Sequence, residues 1–165
     1  MRRARAISAV VGLAAALLMA SPAAADTPVP MPPDADTLNL GASGEVLCGD
    51  PSGSSFKFHI YYNSGPAGSY RNIGYSVYDF DALRPGDGHT HPLKFCMLGV
   101  SSPWPGSGQN IKNNAASGEN THYKYMARVY YYSGYKGNQD AIGPYQIVGQ
   151  FRNVYNENAS FQWTV

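Results

Sequence analysis

At 165 residues, with 12 Lys and Arg against 11 Asp and Glu, the chain carries a formal charge of +1. That charge belongs to the first 25 residues. Arg2, Arg3 and Arg5 leave with them, and 9 basic against 11 acidic residues remain, a net of −2. Scattered cations of that number form no basic stripe, which argues against nucleic acid as a partner, and about 140 residues make one domain with a core rather than two.

In chain order, Arg2, Arg3 and Arg5 form a basic head, Ala6 to Ala20 an apolar stretch, and Ala23-Ala24-Ala25 a small-residue cleavage site before Asp26. Residues 1–25 therefore read as a secretory signal peptide, which predicts a secreted, extracellular protein with no membrane partner after cleavage. Residues 26–44 (DTPVPMPPDADTLNLGASG) hold four prolines and no strand-length apolar pattern, and predict a disordered, proline-rich lead-in. A short strand from Gly44 to Cys48 is expected to open a single domain over 45–165.

The rest reads as strands. Residues 56–62 (FKFHIYY), 75–80 (YSVYDF), 126–132 (MARVYYY), 145–151 and 159–165 (ASFQWTV) alternate apolar and polar side chains, with glycine and asparagine clusters between them. In the last of these, Ala159, Phe161, Trp163 and Val165 share a face. The composition, with 13 Tyr, 6 Phe and 2 Trp, favours strand over helix. Cys48 and Cys96 are the only cysteines, and an exported chain predicts a disulfide between them. Closing that loop stabilises by roughly 4 kcal/mol through chain entropy.

An internal repeat organises these strands. Residues 60–74 (IYYNSGPAGSYRNIG) and 129–143 (VYYYSGYKGNQDAIG) share seven of fifteen positions at an offset of 69: the pairs Tyr61/Tyr130, Tyr62/Tyr131, Ser64/Ser133, Gly65/Gly134, Gly68/Gly137, Ile73/Ile142 and Gly74/Gly143. After each copy comes an asparagine-rich piece, IKNNAAS at 111–117 and VYNENAS at 154–160. The order hairpin, return, hairpin, return predicts two successive Greek keys, each with one apolar face, packed into a sandwich.

The run Tyr130-x4-Tyr135-x-Gly137 resembles the signature hairpin of βγ-crystallin Greek keys. Tyr61-x6-Gly68 matches it at the first aromatic and the glycine, with Pro66 in place of the second aromatic. The resemblance covers residues 56–80 and 110–163 and implies an all-β, βγ-crystallin-like sandwich of two Greek keys, the first with a long insertion between Phe80 and Gln109. Within that superfamily the runs NNAAS and NENASF-x-W are similar to small secreted bacterial proteins related to metalloproteinase inhibitors. The likeness implies a non-enzymatic binding protein whose partner is an extracellular protease.

The resemblance also implies calcium, through the form N/D-N/D-x-x-S/T-S. Residues 113–118 follow it except at Gly118, and residues 156–161 follow it except at Glu157 and Phe161. The implied ligands are Asn113, Asn114 and Ser117 in one loop and Asn156, Glu157, Asn158 and Ser160 in the other. Glu157 is their one carboxylate, so the expected affinity is weak, about 10⁻⁴ to 10⁻³ M. The alternative is that these asparagines only bond the local backbone in turns.

His89 and His91 alternate along an extended stretch, so both imidazoles reach one face as metal ligands or as two exposed loop histidines. The string from Gly86 to Pro92 resembles the first cupin motif, but the glutamate that motif needs is absent. No G-x-S-x-G occurs and no pair of carboxylates is placed by the repeat, so no catalytic residue is assigned. Trp104, between Pro103 and Pro105, is the candidate recognition residue in a loop stiffened by proline, or else a cover for the core. Contact with a protease is expected in the loops Leu83–Pro92 and Ser101–Gln109. The alternatives are a calcium-stabilised structural or surface module and, on fold analogy alone, a small antimicrobial toxin.

Overall fold

The computed structural model describes residues 26–165; the leader expected at 1–25 lies outside them. Among the described residues no helix is long and apolar enough to cross a membrane. Two short helices, α1 (Ala35–Gly41) and α2 (Gly44–Cys48), precede seven strands: β1 (Phe58–Asn63), β2 (Ala67–Ile73), β3 (Ser117–Asn120), β4 (Met126–Tyr132), β5 (Lys136–Ile142), β6 (Gln146–Val148) and β7 (Ser160–Thr164). They form two antiparallel sheets, ordered β2-β1-β3-β6 and β5-β4-β7.

The repeat is a repeat of backbone. Each hairpin carries a register shift at the matching place, between Tyr61 and Asn63 in β1 and between Tyr130 and Tyr132 in β4. Gly65 and Gly134 have φ of 71° and 75°, and Gly68 and Gly137 have φ of 72° and 80°. A Cβ on Gly137 would lie 2.7 Å from the Tyr132 ring, so both conformation and space demand glycine there.

After each hairpin the chain crosses to the other sheet before returning beside its first strand. In the first half Val77 pairs with Phe161 of β7, and in the second Val148 of β6 pairs with Gly118 of β3. The flanking bonds match: Phe80 N–H donates to Ala159 O as Phe151 N–H donates to Ala116 O, both at 2.9 Å. Each half is thus a Greek key whose third strand lies in the other's sheet. Segment 75–80, expected as a strand, is reduced to the bridge at Val77, which exchanges both its backbone bonds with Phe161, whereas Phe80 divides its two between Ala159 and Leu93.

Between the sheets lie Phe58, Ile60, Val77, Phe80, Val129, Phe151 and Phe161, each at most 1% exposed. Phe58 and Phe161 stack at 4.3 Å between ring centroids. Val165 leaves the shared face of Ala159, Phe161 and Trp163 and is exposed.

Two expectations for the N-terminal part are corrected. Residues 26–44 are not a disordered lead-in. Pro28 bridges Thr164 at the edge of β7, Val29 N–H donates to Trp163 O, and Val165 N–H donates to Thr27 O. Proline suits an edge strand because it lacks the N–H that a ladder would need. Asp26 pairs with Arg128 of β4. In α1 the buried Asn39 side chain accepts from the N–H groups of Gly74 and Tyr75 and donates to Tyr75 O. Gly44 to Cys48 is helix rather than strand: Ser43 caps it by accepting from Val46 N–H, and Leu47 is buried.

Candidate functional site: a loop anchored by the disulfide

Residues 81–110 stand where the second half has only Arg152 and Asn153. There the corner is drawn tight by Asp140, whose carboxylate accepts from the N–H groups of Arg152, Asn153 and Val154. The inserted segment is rooted in the core by Leu83, Leu93 and Phe95, with Ile111 beyond it. Backbone bonds Leu93 N–H to Phe80 O and Ile111 N–H to Leu93 O hold it in place. It forms two loops, residues 84–92 and 97–109; the second starts four residues before the Ser101–Gln109 loop read from the sequence.

The second loop springs from Cys96, which is bonded to Cys48 at a Cα separation of 5.7 Å. The disulfide ties the loop's base to α2, and Ser69 and Ser107 both donate to Cys96 O. Within the loop, Trp104 N–H donates to Leu98 O and Ser107 N–H to Trp104 O. The Ser107 hydroxyl accepts from Leu98 N–H. Gly99 takes φ of 79°, and a Cβ there would strike Ser102 O. The backbone is thus closed on itself while its side chains are not. Met97 is 86% exposed, Val100 fully exposed and Trp104 48% exposed. Three large apolar side chains are thus exposed on one loop closed by its own backbone bonds.

Trp104 is therefore placed on the surface, while Met97 and Val100 were not singled out from sequence. Their signal was the apolar run Met97 to Val100 broken by Gly99 straight after a cysteine. In the first loop, His91 Nε2 lies 2.7 Å from Asp87 Oδ2 and His89 N–H bonds Asp87 Oδ1. The His89 amide and the His91 ring hold the Asp87 carboxyl below the usual range. Among the described residues no group of three or more His, Cys, Asp or Glu side chains is placed to hold a metal ion.

The two asparagine loops meet. Asn113 N–H donates to Asn158 O at 2.8 Å and, in the matching bond, Asn156 N–H donates to Ala115 O at 3.0 Å. Asn113 and Asn156 both have positive φ, 60° and 52°, which asparagine tolerates. Asn114 Nδ2 donates to Asn110 O, and Asn158 Nδ2 to Ala115 O and Val154 O. Ser117 and Ser160 are buried and donate to Asn63 O and Tyr132 O, latching each hairpin. A cleft of about 400 Å³ is lined by Lys112, Asn113, Ser133, Asn156 and Glu157 among others. The Lys112 ammonium there lies 3.0 Å from Asp79. Burial pushes the Asp79 carboxyl up, but the Asp81 N–H and Lys112 outweigh it and hold the group low.

Two hairpin-led Greek keys with exchanged third strands make the fold a sandwich of βγ-crystallin type, as the paired hairpins imply. No protein-family model and no curated protein matches the chain. A solved structure from work on the evolution of the eye lens βγ-crystallin domain fold is similar, at 14% identity over 66% of this chain and 84% of that one, with a TM-score of 0.45. The assignment of the fold rests on the strand order rather than on that likeness.

Proposed function

We propose that the chain is a secreted, non-enzymatic binding protein that blocks an extracellular peptidase by presenting the loop of residues 97–105. One observation carries the reading: exposed Met97, Val100 and Trp104 sit on a loop whose base is held by the disulfide. A loop already ordered loses little conformational entropy when it is covered, so apolar burial goes into affinity. The experiment is a panel of extracellular metallo- and serine peptidases assayed with micromolar protein. Inhibition of a member of the panel is expected, and it should fall at least tenfold in Val100→Asp. Full activity across the panel overturns the reading.

A second reading is a calcium-stabilised module. It is favoured by the crossed bonds between the asparagine loops, since an ion held at either would tie the two keys together. The Lys112 ammonium already neutralises the carboxylates beside the first loop, which leaves Glu157 in the second as the anionic ligand. A melting midpoint that rises in millimolar calcium and returns with EDTA supports this reading, and an unmoved midpoint removes it.

A further inference from the structure

A groove on the molecule shares no lining residue with the loop of residues 97–105. Its larger part, about 660 Å³, is walled by Phe56, Lys57, Tyr75, His122, Tyr123 and Tyr145. Past Gly74, His122 and Trp163 it runs into a smaller hollow of about 170 Å³. There the lining includes this chain's own Val29, Pro30, Met31 and Pro32, which follow the bridge of Pro28 to Thr164 and the bond from Val29 N–H to Trp163 O.

The rings are fixed in advance. His122 lies 4.9 Å from Tyr123 and 4.6 Å from Tyr125, both stacked, and 5.4 Å from Trp163. Its Nδ1 accepts from the N–H groups of Lys124 and Tyr125, which locks the ring's orientation. Phe56 meets Tyr75 edge to face at 5.8 Å. At the outer end Tyr123 and Tyr145 are 71% and 73% exposed. The larger part is lined by Lys57 and by no carboxylate, and Lys124 sits over the Tyr125 ring.

We propose that this groove binds an extended, proline-containing, acidic peptide, laid end to end with the seat that residues 28–32 already occupy. This goes beyond the peptidase reading and does not depend on it. Aromatic-lined grooves suit proline-rich chains, which are extended before binding and stack pyrrolidine rings on aromatic faces. The chain's own arm supplies a precedent: Pro30 and Pro32 line the same hollow as Tyr75, His122, Tyr125 and Trp163, and Asp34 and Asp36 follow them in sequence. The lysines select for acidic side chains in the ligand.

The test is fluorescence anisotropy of a labelled peptide of eight prolines ending in two aspartates, titrated with the intact protein. Saturable binding is expected, weakened about tenfold or more in the double variant Tyr123→Ala, Tyr145→Ala. Both side chains are exposed, and an unchanged circular dichroism spectrum verifies that the variant folds. A peptide ending in two lysines should bind more weakly. The proposal is overturned if no saturation appears at millimolar protein, or if the double variant binds equally well. It is also overturned if cellohexaose displaces the peptide, which assigns the groove to a saccharide. A concentration-dependent dimer of the protein alone assigns it to the arm of a second copy and likewise overturns it.

Discussion

Ser117 and Ser160 occupy equivalent places in the two keys, yet removing their hydroxyls should not cost the same. Ser117 Oγ donates to Asn63 O at 2.6 Å, and Ser160 Oγ to Tyr132 O at 2.7 Å. Each bond joins the last strand of a key to its folded-over hairpin, and each serine is fully buried. Only Ser160 also accepts a bond, from Tyr135 N–H at 3.1 Å. The matching residue in the first hairpin is Pro66, which has no N–H to give. With about 1 kcal/mol for each hydrogen bond lost, Ser117→Ala should cost about 1 kcal/mol and Ser160→Ala about 2 kcal/mol. Urea unfolding with the disulfide intact measures the difference; at a slope of about 2 kcal/mol per molar, the two midpoints should lie about 0.5 M apart. If Ser117→Ala is as damaging as Ser160→Ala, the proline is not the source of the asymmetry and the reasoning is wrong.

Opening the Cys48–Cys96 bridge by substituting both cysteines with alanine should lower stability by about 4 kcal/mol, read as a lower melting midpoint. An unchanged midpoint would mean that contacts of α2 alone hold the loop's base. Phe161→Ala removes a ring with no exposure that stacks on Phe58, and should cost about 3–5 kcal/mol by denaturant titration. His59 and His122 are both held below the usual imidazole range, each chiefly by burial. Both hold their protons less readily in the fold than in the unfolded chain, which takes them up below about pH 6.5. Stability should therefore be full above that pH and decline as the pH falls beneath it, with the slope reduced in His59→Gln. A urea midpoint unchanged between pH 7.5 and 5.5 would contradict this.

What could be read from the sequence was what the backbone repeats. Gly68 and Gly137 are shared between the halves because each takes a positive φ, with the Pro105 carbonyl crowding the first and the Tyr132 ring the second, and that constraint shows as letters at a fixed offset. Strand β4 matches its expected range. Elements that depend on distant partners left no periodic trace. α1 is fastened by bonds to distant residues, among them those of the buried Asn39 side chain to backbone groups at Gly74 and Tyr75, and composition carries no sign of them. The arm at residues 26–33 has four prolines and no strand-length apolar pattern to reveal it, and its place on the sheet edge is set by Thr164 and Trp163, far along the chain. At the candidate site, proline flanking pointed to Trp104. Val100 was invisible because its exposure is set by Gly99 and by the closure of the loop around Ser107.

The exchange of third strands sets a timetable for the chain as it is made. The first sheet lacks its fourth member until residue 148, and Val77 waits for Phe161. Pro28 has its partner at Thr164, the last strand residue of all. A chain emerging from its N-terminus therefore exposes both apolar faces until Ser160–Thr164 has been made, and no half can close early by itself. Contacts this distant in sequence make folding slow, in the range of milliseconds to seconds for such sandwiches. Loss of even the final strand would strand the whole chain in that open, aggregation-prone state.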